Sequence, residues 1–163
     1  MRVYLPATIA MLRELNTTGE FRARSGTAFA LTPALREAYA SGSDEELEYA
    51  ALLDAARASL RLIAAEEKGE PRRAVVSADV EGATHRPDLD DAVVRLAGPV
   101  LLKDIAAIHV DAAEAEDAVT AAAAVIDAAD LGDPDAEFTL GDAEDHELAW
   151  YAPQELPFLL ELL

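Results

Sequence analysis

Two histidines and an aspartate have the residue types and the spacing to bind a divalent metal ion. His109 and Asp111 are two residues apart at the end of the predicted strand 106–110, so their side chains share one side. His146 follows segment 137–140, which also reads as a strand. If these strands are parallel, the three side chains meet at one edge of the sheet, where open α/β sheets bind ligands. Imidazole and carboxylate groups together suit zinc and related metals.

The same residues also have a structural interpretation, which we favour. His109 then packs in the core and Asp111 caps the following helix. No diagnostic metal motif such as H-E-x-x-H accompanies them, and the chain has no phosphate-binding loop, nucleophile elbow or cysteine. We therefore expect a protein that acts without a cofactor and is not an enzyme. A small metal-dependent enzyme built on these three residues is the alternative.

An acidic stretch near the C-terminus is the second candidate site. Glu144, Asp145 and Glu147 are predicted to lie in the first turn of the last helix, where the helix dipole favours acids. Helical spacing predicts that Trp150, the only tryptophan, is partly exposed and that Tyr151 is more buried. Because tryptophan is enriched at binding hot spots, the three acids and Trp150 form a predicted interaction surface. The alternative is a capped helix whose acids only complement the dipole and whose Trp150 lies at the edge of the core.

The charge of the chain is strongly uneven. Its 163 residues carry a net charge of −19. Residues 1–103 contain all 13 basic residues and 16 acidic ones, whereas residues 104–163 contain 16 acidic residues and no basic ones. Such a charge excludes nucleic acid as a partner, because proteins bind its phosphates with lysine and arginine. It favours either a solvated, repulsive surface that keeps the protein soluble, or a face for a partner with a basic surface.

The N-terminal residues and the hydropathy of the chain predict a cytoplasmic protein. The segment "MRVYLPATIAML" contains no long apolar run and is interrupted by Pro6, unlike a signal peptide. No apolar run approaches the ~20 residues of a membrane helix, so no membrane partner is expected.

Periodicity, capping residues and turn residues predict a single α+β domain over residues 1–163. Ser43 with Glu46 forms a capping box before the longest helix, and Thr32 with Pro33 starts the helix before it. The predicted strands are 1–5, 27–32, 72–80, 91–98, 106–110 and 137–140. The predicted helices are 6–15, a short one from Pro33, 41–69, 111–132 and one ending near 152.

These elements are expected to form a mixed sheet with helices mostly on one face. Strands 72–80 and 91–98 would pair as a hairpin with a long loop. Segments 1–41 and 105–152 each read as strand, helix, strand, helix, which suggests a weak βαβα internal repeat. The apolar C-terminal segment 158–163 must pack either on its own core or on a second copy, so a homo-oligomer is an alternative.

Several stretches resemble a domain-of-unknown-function family of short, acidic bacterial proteins. They are "MRVYLPAT", "TPALREAY", "EELEYAAL", "RASLRL", "IHVD" and "EDHELAWY", and they occur in this order over most of the chain. The resemblance implies a bacterial cytoplasmic protein. It implies no reaction, cofactor or catalytic residue, so a function has to be inferred from the residues themselves.

Overall fold

The computed structural model describes residues 1–163, which form nine strands and six helices. The strands are β1 (Arg2–Ala7), β2 (Glu20–Phe21), β3 (Thr27–Phe29), β4 (Ala74–Asp79), β5 (Thr84–His85), β6 (Val93–Arg95), β7 (Val100–Leu101), β8 (Ile105–Val110) and β9 (Ala149–Tyr151). The helices are α1 (Ile9–Thr18), α2 (Pro33–Ala38), α3 (Asp44–Ala65), α4 (Glu116–Asp130), α5 (Pro134–Glu144) and α6 (Leu156–Glu161).

Seven strands form one sheet in the order β5-β6-β3-β1-β4-β8-β9, and β2 pairs separately with β7. The α+β class is therefore confirmed. Every strand pairing is antiparallel, so the prediction of a mixed sheet is wrong. The predicted hairpin of 72–80 with 91–98 is also wrong, because β4 pairs with β1 and β8, whereas β6 pairs with β3 and β5.

Alternation along the central strands builds a core on each face of the sheet. Val3 and Leu5 of β1 join the apolar cluster formed with α1 and α6, whereas Tyr4 joins the cluster formed with α3. Val76 and Val75 of β4 divide in the same way. Helices thus cover both faces rather than mostly one.

Local capping signals set where the helices begin. The Ser43–Glu46 capping box opens α3, and Thr32 caps α2 with Pro33 in its first turn, both as predicted. The start of α1 differs from its prediction. Thr8 is its N-cap, and Pro6 lies in β1 opposite Val75.

Segment 137–140, predicted as a strand, lies inside α5, which packs against α4 as a helical hairpin. Asp133 caps α5 and Pro134 occupies its first turn. Its buried residues follow helical spacing: Ala136, Leu140 and Ala143. Residues 105–152 therefore run strand, helix, helix, strand, and the proposed internal repeat does not exist.

The C-terminal segment packs on the chain's own core. Leu156, Leu159 and Leu160 of α6 are buried in the cluster with α1, while Phe158 is 68% exposed. None of the helices combines the length and the apolar character needed to span a membrane.

Candidate functional site

A groove of about 360 Å³ lies between α3 and the edge of the sheet formed by β8 and β9. It exists because α3 packs over β1, β3 and β4 and leaves the neighbouring strands open on that face. Tyr49, Leu52 and Leu53 form the α3 wall. The opposite side and floor are formed by His109, His146, Glu147, Leu148 and Trp150.

Strand register places Trp150 beside His109. The two residues are directly paired between β9 and β8, so they share the face that looks toward α3. Trp150 is 61% exposed. Tyr151 points to the opposite face, where it is partly buried against the core of α1 and α6. The predicted difference in exposure between Trp150 and Tyr151 is confirmed, but it arises from strand alternation, since the predicted last helix is strand β9.

His109 is held by a buried hydroxyl. Its Nε2 lies 2.8 Å from Ser77 Oγ, and Ser77 is buried and makes no other side-chain hydrogen bond. If Nε2–H donated to Ser77, the serine proton would be left without an acceptor, which is costly in a buried group. The network therefore assigns the hydroxyl as donor to Nε2, and the proton of the neutral ring lies on Nδ1.

His109 lines the groove, and its other ring nitrogen, Nδ1, makes no hydrogen bond. Nδ1 is not among the buried polar atoms without a partner, of which Nε of Arg95 is the only one, so it is accessible to solvent. Burial, with a smaller contribution from the positive charge of Arg2, lowers the pKa of His109 below its usual 6.5. His109 is thus a neutral hydrogen-bond donor at pH 7.

Asp111 is unavailable as a metal ligand. Its Oδ2 accepts hydrogen bonds from the backbone N–H and from Nε of Arg73, and its Oδ1 accepts one from Arg73 Nη2, each at 2.8 Å. The exposed fractions of the two side chains are 0% and 3%. Nowhere do three or more acidic or histidine side chains come together in a group that could hold a metal ion. The structural interpretation of Asp111 as a helix cap is wrong too, because it serves as the ion-pair partner of Arg73.

His146 reaches the same sheet edge as His109 by a different topology from the one expected. It precedes β9, which runs antiparallel to β8, so the end of one strand lies beside the start of the other. Arg73 Nη2 also donates to the backbone carbonyl of His146 at 2.8 Å. Through this hydrogen bond, the buried Arg73–Asp111 pair holds segment 145–148 in place, and this segment forms one side of the groove.

Glu144 and Asp145 lie at the opposite end of a helix from the one predicted. Glu144 is in the last turn of α5 and Asp145 is its C-cap, and no basic residue lies in that turn. Carboxylates at a helix C-terminus are disfavoured by the dipole by about 0.3–1 kcal/mol each. Helix capping therefore does not explain these acids. Of the predicted interaction residues, Glu147 and Trp150 line the groove, while Glu144 and Asp145 lie next to it in the chain.

Most acids of residues 104–163 have no ion-pair partner. Four of the sixteen pair with arginines of the first 103 residues: Asp111 with Arg73, Glu116 with Arg72, Asp130 with Arg57 and Arg61, and Glu137 with Arg57. The remaining twelve form no salt bridge. The structure thus leaves a largely uncompensated negative surface around the α4–α5 hairpin and β9.

Sequence reasoning missed the α3 wall of the groove. Tyr49 and Leu53 are four residues apart and therefore share a helix face, off the buried row formed by Leu47, Ala51 and Ala55. Two large apolar side chains beside a buried stripe were the available signal. The sequence did not show that this face looks onto β8 and β9.

The comparisons with known proteins agree with the resemblance found in the sequence. The family model of DUF6912, a family of unknown function, matches residues 1–160. The chain belongs to this family. No curated protein and no solved structure matches the chain. Any inference about function therefore rests on the groove and on the acidic residues around it.

Proposed function

We propose that this chain is a cytoplasmic bacterial protein-interaction or regulatory module that binds a partner with a basic surface. The observation that carries the proposal is the uncompensated acidity of residues 104–163, including acids placed where they cost stability. Glu144 in the last turn of α5 and Asp145 at its C-cap are the sharpest examples, because replacing them would relieve an unfavourable dipole interaction. A role in binding accounts for acids at such positions.

The groove beside these acids supplies the apolar part of an interface. A one-sign surface steers a partner and accelerates association, but exposed charges contribute little affinity on their own. Affinity at interfaces comes mainly from buried aromatic and aliphatic anchors with a polar rim. Trp150, Tyr49 and Leu53 are large, exposed and gathered in one place, as such an anchor requires.

Selection from a random peptide library tests the proposal. Peptides retained by the purified protein are expected to be rich in lysine and arginine. Their binding should weaken steeply between about 0.1 M and 1 M salt, because the screening length falls from ~10 Å to ~3 Å over that range.

A matched pair of triple variants separates a docking face from overall charge. The test variant is Asp142→Asn with Glu144→Gln and Asp145→Asn. The control is Glu37→Gln with Glu67→Gln and Glu81→Gln, which changes the net charge equally at exposed acids without ion pairs. The selected peptides should lose affinity for the test variant and keep it for the control. Equal losses would mean nonspecific attraction, and a selection without basic peptides would refute the proposed function.

A further inference from the structure

The groove combines aromatic surface with negative charge, and its lining contains no lysine or arginine; its only basic side chains are those of His109 and His146. Trp150 and Tyr49 both line it, and so does the carboxylate of Glu147. On the same side of that helix, Glu45 places an exposed carboxylate one turn before Tyr49. Glu48, one turn before Leu52, is half-buried and accepts a hydrogen bond from the hydroxyl of Tyr4. At pH 7 the ring of His109 in the floor is neutral, so it adds no positive charge.

Aromatic faces with nearby carboxylates attract organic cations. A guanidinium or ammonium group over the face of tryptophan or tyrosine interacts with the ring quadrupole, and tryptophan is the best of the aromatic residues. Arginine and lysine also carry aliphatic stems that pack on apolar surface. Leu52, Leu53 and Leu148 provide such a surface in the same groove.

We propose that the groove holds one arginine or lysine side chain of the partner, with its charged head against Trp150 and Tyr49 near Glu147 and its stem on the leucines. This inference rests on the proposed function and specifies how the basic partner is anchored. A purely apolar occupant would use the leucines and aromatic rings equally well. Such an occupant would leave the carboxylates of Glu147 and Glu45, and the absence of lysine and arginine from the lining, without a role.

The experiment uses Nα-acetyl-arginine methylamide and Nα-acetyl-citrulline methylamide, which have nearly the same shape but differ in charge. Binding to the full chain is followed by NMR through the methyl groups of Leu53 and the indole N–H of Trp150. The arginine probe is expected to shift these signals with at least about fivefold higher affinity than the citrulline probe. Equal affinity of the two probes would overturn the proposal in favour of an apolar pocket.

Two variants locate the binding. Trp150→Leu keeps apolar surface but removes the aromatic face, so it should weaken the arginine probe by about fivefold. Phe158→Leu removes an aromatic ring of similar exposure on α6, on the other side of the sheet, and should leave the affinity unchanged. Circular dichroism verifies that both variants fold.

The failure of this inference is distinguishable from failure of the proposed function. If selected basic peptides bind and lose affinity in the triple variant at 142, 144 and 145, the docking face stands. If the arginine probe then shifts no groove signal, or binds Trp150→Leu as well as it binds the unaltered chain, the cation-binding groove is refuted. If neither peptide nor probe binds, both proposals fail.

Discussion

Replacing Asp111 by asparagine tests the assignment of this residue to structure instead of metal binding. The substitution keeps the shape of the side chain and removes its charge, so the guanidinium of Arg73 is left buried without a counter-ion. One amide oxygen cannot replace two carboxylate oxygens that together accept three hydrogen bonds, and the amide N–H₂ would face another donor. Breaking a buried ion pair in this way costs about 3–5 kcal/mol, which is a large part of the ~5–15 kcal/mol that stabilises a typical domain.

Urea unfolding measures this cost directly, with circular dichroism and Trp150 emission as independent probes. With a slope of about 1–3 kcal/mol per molar urea, the midpoint should fall by more than ~1 M. The double variant Arg73→Met with Asp111→Asn removes both charges and keeps an oxygen for the backbone N–H of residue 73. It should recover about 2 kcal/mol of the loss, because about 1–3 kcal/mol remains for the unpaired carbonyl of His146. A loss below ~1 kcal/mol in the single variant would refute the buried pair and return Asp111 to the list of possible ligands.

Three further predictions concern buried or crowded polar groups. Burial and the nearby Asp90 raise the pKa of Asp54 to about 6, so the folded state binds more protons there and stability falls as pH rises from about 4 to 6. Asp54→Asn should reduce this pH-dependent loss of stability, by less than ~1 kcal/mol because the side chain is partly exposed. Glu67→Gln should leave the loss unchanged, and urea unfolding at several pH values measures both variants. Two-bond ¹H–¹⁵N correlation spectra should find the proton of His109 on Nδ1, with a titration midpoint below 6.5; a proton on Nε2 would contradict the assigned hydrogen bond from Ser77. Ser59→Ala should cost about 2 kcal/mol in thermal or urea unfolding, since the buried hydroxyl joins a carbonyl of β1 to an N–H of β4, and a loss below ~0.5 kcal/mol would mean that water replaces it.

Local structure that depends on residues three or four positions apart could be predicted well from the sequence. The capping box of Ser43 and Glu46 starts α3 where expected, since both partners of each hydrogen bond lie within one turn. The same kind of signal is present at Asp133 and Pro134, although residues 137–140 were predicted as a strand. Capping and the helical spacing of Ala136 and Leu140 outweigh the β-propensity of Phe138, whose ring stays exposed.

The candidate site depended on strand order, which short-range patterns do not contain. His109 and His146 were expected to share an edge of the sheet and do so, but on antiparallel strands instead of parallel ones. Arg73 donates hydrogen bonds to both Asp111 and the backbone carbonyl of His146. The Arg73–Asp111 pair joins residues 38 positions apart, and only the register of β4 with β8 brings them together. An arginine that follows a helix and precedes a strand carries no local sign of such a partner.

The α4–α5 hairpin has consequences for how the protein opens in its native state. Eight of the ten buried apolar residues of its cluster lie in residues 115–143, and only Leu60 and Ile63 of α3 belong to the rest of the molecule. Most contacts of the hairpin are therefore internal, so it can detach as a unit without unfolding the sheet. Its amides should exchange hydrogen at a lower free energy than those of β1 and β4. Segment 145–148 continues from α5 into the groove, so a bound partner should slow hydrogen exchange in the hairpin. By the same coupling, packing of the hairpin against α3 should raise the affinity for the partner.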